Sequence, residues 1–177
     1  MVFCMSAPAP RLKHVTTNEV EACQEAWADA IVNISKIYKQ KGDFVSAAAE
    51  AAGELYGYGH GTVLFKPTKA AQHPFRPHGR QAMSYFVGSK NVEKGTGLKE
   101  DAGFAINGGK GWEKVVFENH QIDCHGEVAI AMGSYYFTCL TTKDIVRVEY
   151  TFGYKRNLDG KVRICLHHSS VPYSEKK

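Results

Sequence analysis

The sequence predicts an α+β domain in which N-terminal helices cover one face of a strongly curved antiparallel sheet. Two observations carry this prediction. Apolar residues recur every three or four positions early in the chain, and four runs of strand-like alternation follow Trp112. The chain has 177 residues, of which 44% are hydrophobic and 23% charged. This size and composition are typical of one soluble domain and exclude extended disorder.

Two helices are predicted before residue 56. Asn18 and Glu21 are expected to cap the first helix, which should end near Gly42. Asp43 is expected to cap the second helix, FVSAAAEAAGELY, whose alanines allow close packing. The apolar stripe of the first helix consists of Val20, Cys23, Trp27, Ile31, Ile34 and Tyr38.

The rest of the chain alternates short elements, loops and long strands. TVLFK is expected to form a short strand that stops at Pro67, and GRQAMSYFVG a short helix closed by Gly88. Residues 88–111 are rich in Gly and Lys and are expected to form a surface loop. Tight turns separate four long strands: WEKVVFENHQIDCH, EVAIAMGSYYFTCL, DIVRVEYTFGYKR and KVRICLHHSSVPY.

The domain boundaries follow from the ends of this pattern. Pro8 and Pro10 block a helix, so residues 1–16 are expected to form a flexible arm. Residues 17–173 should form a single domain, and residues 174–177 a tail. The opening segment lacks the apolar run of a secretory signal. We expect a soluble protein, in a plastid or other organelle if the chain is trimmed from an algal precursor and otherwise in the cytoplasm.

Charge, cysteines and histidines narrow the functional classes. The net charge is +4 without a basic cluster, and no apolar run spans a bilayer, so neither nucleic acid nor a membrane is an expected partner. Five cysteines without a CxxC spacing indicate reduced thiols. No histidine pair has helical ligand spacing, and His167 and His168 should point to opposite faces of a strand. No metal site is therefore predicted.

The densest polar cluster is HHSS, at the end of the last strand. Its apolar face is expected to be formed by Val162, Ile164 and Leu166. Continued alternation places His168 and Ser170 on that inward face, at the mouth of an apolar concavity. The opposite face would carry Arg163, Cys165, His167 and Ser169. A His and a Ser bonded to backbone groups at a strand end are the purely structural alternative.

Aromatic rows on the neighbouring strands favour a small-molecule pocket or a well-packed core. One row should share a single face: Val146, Val148, Tyr150, Phe152 and Tyr154. On the preceding strand, Tyr135 and Phe137 should lie opposite Ser134, Tyr136 and Thr138. Alternation alone leaves both interpretations open.

Five segments together resemble the iota class of carbonic anhydrases, from about residue 17 to Tyr173. They are VLFKPTKAA, SYFVG, GEVAIAMGSYYFT, VEYTFGY and DGKVRICLHHSSVPY. That family resembles the association domain of calcium/calmodulin-dependent kinase II and the cone-shaped nuclear-transport-factor-2-like fold. The resemblance implies reversible hydration of carbon dioxide to bicarbonate and a proton, and the loop at 88–111 is expanded relative to the family pattern.

Carried over by motif, the resemblance implies a catalytic pocket formed by Thr68, Tyr85, His168 and Ser170. Together with the absence of a predicted metal site, it implies catalysis without a cofactor. His168 would be the general base, while the three hydroxyls position water and donate to nascent bicarbonate. Substrate-binding side chains would be Thr68, Tyr85, Phe86, Tyr150, Phe152, Leu166 and Ser170.

The sequence also predicts an oligomeric state and leaves two other functions open. A sheet covered on one side should be covered on the other by a second copy, giving a homodimer near Arg163, Cys165 and His167. A non-catalytic hub-like or small-anion-binding domain is the alternative function. A cone-fold isomerase or dehydratase is a third, which would require a carboxylate in the pocket.

Overall fold

A computed structural model of the chain describes residues 13–174, and the elements follow the expected order. The helices are α1 (Thr17–Lys39), α2 (Phe44–Leu55) and α3 (Gly79–Val87). The strands are β1 (Leu64–Lys66), β2 (Trp112–His125), β3 (Val128–Cys139), β4 (Ile145–Arg156) and β5 (Val162–Ser170). Helices packed on a curved sheet confirm the α+β class.

A capping box starts helix α1, and its N-cap residue is Thr16, immediately before the first helical residue. The Thr16 hydroxyl accepts the Glu19 N–H at 3.3 Å, and the Glu19 carboxylate accepts the Thr16 N–H at 3.0 Å. Arg156 of β4 also donates to Glu19 at 2.7 Å. The predicted cap of Asn18 and Glu21 is wrong because an equivalent pair two residues earlier gains this tertiary ion pair.

The apolar stripe of α1 lies against the sheet. Val20, Trp27, Ile31 and Ile34 are buried, whereas the remaining predicted members are partly buried. Asp43 caps α2 as expected, since its carboxylate accepts the Ser46 N–H at 3.0 Å.

The sheet has five strands in the order β1-β5-β4-β3-β2. The four long strands are antiparallel, as predicted, and the short β1 adds a parallel edge beside β5. Register shifts near Glu113 and His120 in β2, and at Cys165 in β5, interrupt the ladders. Such bulges bend strands and increase their twist, so they account for the strong curvature.

The concave face of the sheet is aromatic. Tyr135, Phe137 and Phe152 are fully buried there, and Trp27 of α1 lies within about 6 Å of their ring centroids. The β4 row points inward as one face, as predicted, although Val146 at its outer end is 38% exposed.

The C-terminal end of the predicted N-terminal arm is packed on the domain, contrary to the prediction of a flexible segment. Residues 1–12 and 175–177 lie outside the described part of the chain. Val15 is buried, and its N–H donates to the Gly126 carbonyl at 2.7 Å. Arg156 donates to the Lys13 and His14 carbonyls at 2.8 and 2.9 Å. Residues 13–16 are therefore packed on the domain. None of the helices within residues 13–174 is long and apolar enough to cross a membrane.

Candidate active site

A bulge in β5 decides which polar side chains enter the cone. Gly153 pairs with Leu166 and Tyr154 with Ile164, so Cys165 is an extra residue in β5. Alternation reverses at that point. His167 and Ser169 are each 2% exposed and face inward. The expectation that His168 and Ser170 face inward is wrong, because it assumed unbroken alternation from Ile164; His168 is exposed and Ser170 partly so.

The His167 imidazole lies in an aromatic enclosure. Its ring centroid is 4.0 Å from that of Phe152 and 4.6 Å from that of Phe65. Phe65 is placed by the parallel pairing of β1 with β5, which sets it directly beside His167. Tyr56 stacks on the same imidazole at 6.1 Å, and Trp27 meets it edge-on at 5.8 Å.

Hydroxyl groups gather at Nε2 of this imidazole. Ser169 Oγ lies 3.3 Å from it and Tyr135 Oη 3.5 Å. The Thr68 hydroxyl donates to Ser169 Oγ at 2.9 Å. The Tyr85 hydroxyl lies 3.5 Å from the Lys69 backbone N–H, beside Thr68. The structure thus brings two predicted residues, Thr68 and Tyr85, to the inward His and Ser of β5.

A second chain of hydrogen bonds reaches the other imidazole nitrogen. Trp27 Nε1–H donates to Tyr56 Oη at 2.9 Å, and Tyr56 Oη lies 2.7 Å from His167 Nδ1. All three side chains are buried. Both ring nitrogens of His167 are therefore within reach of a hydroxyl.

Burial keeps these groups uncharged at neutral pH. Burial, together with the nearby His168, lowers the pKa of His167 well below its usual value. Burial likewise raises the pKa of Tyr56, Tyr85 and Tyr135 well above the usual tyrosine value. The site therefore offers a neutral imidazole and protonated hydroxyls.

The loop at 88–111 fixes the segment that carries Thr68. The Glu100 carboxylate accepts backbone N–H groups of Ala71, Gln72 and His73 at 2.7–2.9 Å. Burial opposes ionisation of Glu100, but these hydrogen bonds outweigh it and lower the pKa of this carboxyl to about 2. The same loop stacks Phe104 on Tyr85 at 5.3 Å. Composition marked this segment as a loop and gave no sign of this supporting role.

Asp101 gives the loop a buried anchor. Its carboxylate accepts from Arg76 at 2.8 Å and from the Ser84 hydroxyl at 2.6 Å. Beside this anchor, a cavity of about 330 Å³ is lined by Tyr85, Lys69 and Phe104, among others. Tyr85 thus forms part of both the hydroxyl cluster and the wall of this cavity.

The remaining predicted substrate-binding residues separate into two groups. Phe152 touches the His167 ring, and Phe86 stacks on Phe65 behind it at 5.7 Å. Tyr150 instead bonds Asn119 at 2.6 Å, in a separate polar cluster with Gln24. Leu166 follows the bulge and lines an outer groove, so its expected inward orientation is wrong.

Sequence reasoning missed three members of the cluster. Tyr135 was part of an aromatic row without an assigned role, and Tyr56 and Phe65 lie in segments read only as a helix end and a short strand. No local signal marks them, since each reaches His167 through a tertiary contact. Phe65 is brought there by the pairing of β1 with β5, Tyr56 by its bridge to Ile164, and Tyr135 by the curvature of the sheet at β3. Within residues 13–174, no three His, Cys, Asp or Glu side chains are arranged to hold a metal ion.

The outer face of the sheet carries exposed apolar side chains. Val116, Ile130 and Met132 are 41%, 46% and 52% exposed. The residues expected at this face are not all there: His167 faces inward, and Arg163 is buried against Asn157 and Asp159. That part of the predicted interface is wrong.

Comparisons with known proteins find relatives that match nearly the whole chain. A family model described as metal-independent carbonic anhydrase matches residues 18–171. A metal-independent carbonic anhydrase of Nostoc sp. strain PCC 7120 is 38% identical over 167 residues, which cover 91% of this chain and 76% of the relative. A crystal structure of a cyanobacterial iota-carbonic anhydrase complexed with bicarbonate has a TM-score of 0.83 at 35% identity, covering 97% of this chain and 100% of that chain.

Two more distant structures share the fold alone. A nuclear transport factor 2-like protein of Salmonella enterica serovar Typhimurium has a TM-score of 0.53 at 13% identity, covering 90% of this chain and 92% of that chain. A putative dehydratase from the same structural family, from Streptomyces avermitilis, has a TM-score of 0.51 at 14% identity, covering 89% and 96%. The predicted cone-shaped fold is confirmed.

Proposed function

The chain belongs to the metal-independent carbonic anhydrase family, and we propose that it hydrates carbon dioxide reversibly at the cluster around His167. The observation that carries this assignment is a cluster of hydroxyls beside one neutral imidazole: Ser169 and Tyr135 lie at His167 Nε2. Thr68 donates to Ser169, and Tyr85 lies beside Thr68. His168 and Ser170 do not face inward, so we place His167 and Ser169 in the catalytic pocket instead.

The aromatic walls suit carbon dioxide, which has no net dipole. Phe65 and Phe152 bracket the imidazole and offer carbon dioxide an apolar surface beside the hydroxyls. Phe86 supports Phe65 from behind. An apolar pocket with a few convergent polar groups is the usual form of a small-ligand site.

Ser169 is the best-placed donor to the developing bicarbonate. Its oxygen accepts the Thr68 hydroxyl, so its own proton is free to point elsewhere. An oxygen that accepts a hydrogen bond becomes a stronger donor through polarisation. Donors aimed at developing negative charge in a water-poor site lower the barrier more than they would in bulk water.

The reaction joins a water oxygen to the carbon of carbon dioxide and releases one proton of that water. The cluster holds neutral groups, and Thr68 donates its proton to Ser169 while Ser169 directs its own toward substrate, so the released proton leaves by another route. We assign it to Tyr85, whose oxygen accepts this proton as its own passes to solvent in the neighbouring cavity.

The decisive experiment measures carbon dioxide hydration by stopped flow on chelator-treated protein. Activity should persist without metal, and Thr68→Val should lower kcat/KM by roughly 10²-fold because one positioned hydroxyl is lost. Thr151→Val is the matched control, since Thr151 pairs with His168 on the outer face of the sheet. No turnover by chelator-treated wild type would favour the alternative of a hub-like or small-anion-binding domain.

We also assign a homodimer to the outer sheet face. Val116, Ile130 and Met132 would otherwise leave an apolar surface in water. Sedimentation at micromolar concentration should give twice the 19.6 kDa chain mass, and Met132→Glu should shift it to monomer. A wild-type monomer would refute this assembly without touching the assignment of the active site.

A further inference from the structure

We propose that Trp27 and Tyr56 are positioning residues that hold His167 as the neutral imidazole protonated at Nε2. In that form the ring donates a hydrogen bond to the hydroxyl cluster, and it does not accept the proton released by water. The inference deepens the assignment of the active site and replaces the general base expected from the sequence.

The indole N–H of Trp27 can only donate a hydrogen bond. Its Nε1–H reaches Tyr56 Oη at 2.9 Å, so the Tyr56 oxygen acts as the acceptor. The Tyr56 proton must then point elsewhere. Among the described residues, its remaining hydrogen-bond partner is His167 Nδ1, at 2.7 Å. Tyr56 therefore donates to Nδ1, and Nδ1 carries no proton.

The opposite tautomer would leave a buried proton without an acceptor. If Nδ1 were protonated, it would also donate to Tyr56 Oη, and the Tyr56 hydrogen would lack a partner. Tyr56 is 3% exposed, so water does not replace that partner. The cost of one unsatisfied buried hydroxyl corresponds to roughly a 5- to 150-fold preference for the Nε2-protonated form.

The other side of the ring accommodates this tautomer. Nε2 faces the oxygens of Ser169 at 3.3 Å and Tyr135 at 3.5 Å, and both oxygens can accept. A hydrogen bond from Nε2 to Ser169 Oγ adds to the one from Thr68. The Ser169 hydroxyl then has two donors on its oxygen and directs its own proton to substrate.

The surroundings also disfavour an imidazolium, which a general-base step would create. The titratable groups against the ring are Tyr56 and Tyr135, both buried phenols. The nearest charged group in the bonded network is Lys66, whose ammonium donates to the Ser169 carbonyl at 3.2 Å. Burial, and after it the neighbouring His168, lowers the pKa of His167. No carboxylate is bonded to His167 within residues 13–174.

Nitrogen-15 NMR of histidine-labelled protein tests the proposal directly. Protonated and unprotonated ring nitrogens resonate in separate ranges, and the His167 signals are assigned by their loss in His167→Gln. At pH 7 the wild type should show a protonated Nε2 and an unprotonated, hydrogen-bonded Nδ1. A protonated Nδ1, or two protonated nitrogens, would overturn the proposal whatever the variants do.

Four variants, in two pairs, separate positioning from mere stability. Tyr56→Phe should move the Nδ1 signal and lower kcat/KM by about tenfold, whereas Tyr58→Phe is the control. Tyr58 stacks on Tyr56 at 6.1 Å, but its hydroxyl donates to the Arg76 carbonyl instead. His167→Gln keeps an N–H donor without a base, so it should retain more activity than His167→Ala. Equal loss in both His167 variants, with both folded, would contradict the donor role.

Discussion

Comparing Ser169→Ala with Ser170→Ala tests which face of β5 carries the active site, because the two hydroxyls are adjacent in sequence and lie on opposite faces of the strand. Removing the Ser169 hydroxyl deprives Thr68 of its acceptor at 2.9 Å and His167 Nε2 of a neighbour at 3.3 Å. We expect kcat/KM to fall by roughly 10²- to 10³-fold. The free energy of unfolding should fall by about 1–3 kcal/mol. Ser170→Ala should change that free energy by about 0.5 kcal/mol or less.

The assay combines stopped-flow hydration of carbon dioxide with urea unfolding of each variant. Wild type and Ser170→Ala should be indistinguishable in turnover within about twofold, because Ser170 faces away from the cluster and is only partly buried. A loss in Ser170→Ala equal to that in folded Ser169→Ala would refute the reversal of β5 at Cys165. Full activity in Ser169→Ala would place the chemistry outside this cluster.

Three further predictions concern the cluster and its support. Tyr85→Phe should lower kcat/KM by about 10²-fold with an unfolding midpoint near wild type, while Tyr136→Phe on the outer face should be silent. Gly153→Ala should lose about 1–3 kcal/mol in urea unfolding, because its Cβ would lie 2.9 Å from Leu166 Cβ; wild-type stability would contradict this. Below about pH 6.5 the unfolded chain protonates His167 and the folded chain does not, so the unfolding free energy should fall by up to about 1.4 kcal/mol per pH unit. His167→Gln should remove that part of the pH dependence, and an unchanged slope would argue against burial of a neutral ring.

Much of the architecture was predictable from the sequence because each long element is locally consistent. The stripe through Trp27 has helical spacing, and the four strand runs end at turn residues such as Gly126 and Gly160, both with positive φ. The inward row of β4 followed from simple alternation. The partnership of β1 with β5 was not predictable, because a three-residue strand carries no signal of its neighbour.

The residue types of the site were predictable from the sequence, but the face of β5 that carries them was predicted wrongly. HHSS supplies a His and a Ser two residues apart on either face, so residue types alone do not choose between the pairs. The choice rests on Cys165, the extra residue of β5, and bulge positions have no reliable sequence signature. Gly153 in the facing strand admits Leu166 closely and is the one local feature compatible with the bulge.

The absence of charge on the side chains of the cluster bears on how the product leaves. Bicarbonate carries a full negative charge, and among His167, Ser169, Thr68, Tyr85 and Tyr135 it would meet hydrogen-bond donors without a cation. Because none of these side chains forms an ion pair with bicarbonate, we expect the anion to bind weakly and to dissociate quickly. The nearest lysines, Lys66 on the Ser169 carbonyl and Lys69 in the wall of the Tyr85 cavity, lie outside this set of side chains. We therefore expect chloride and phosphate to compete less with turnover than they would at a site with a cation in direct contact with the anion.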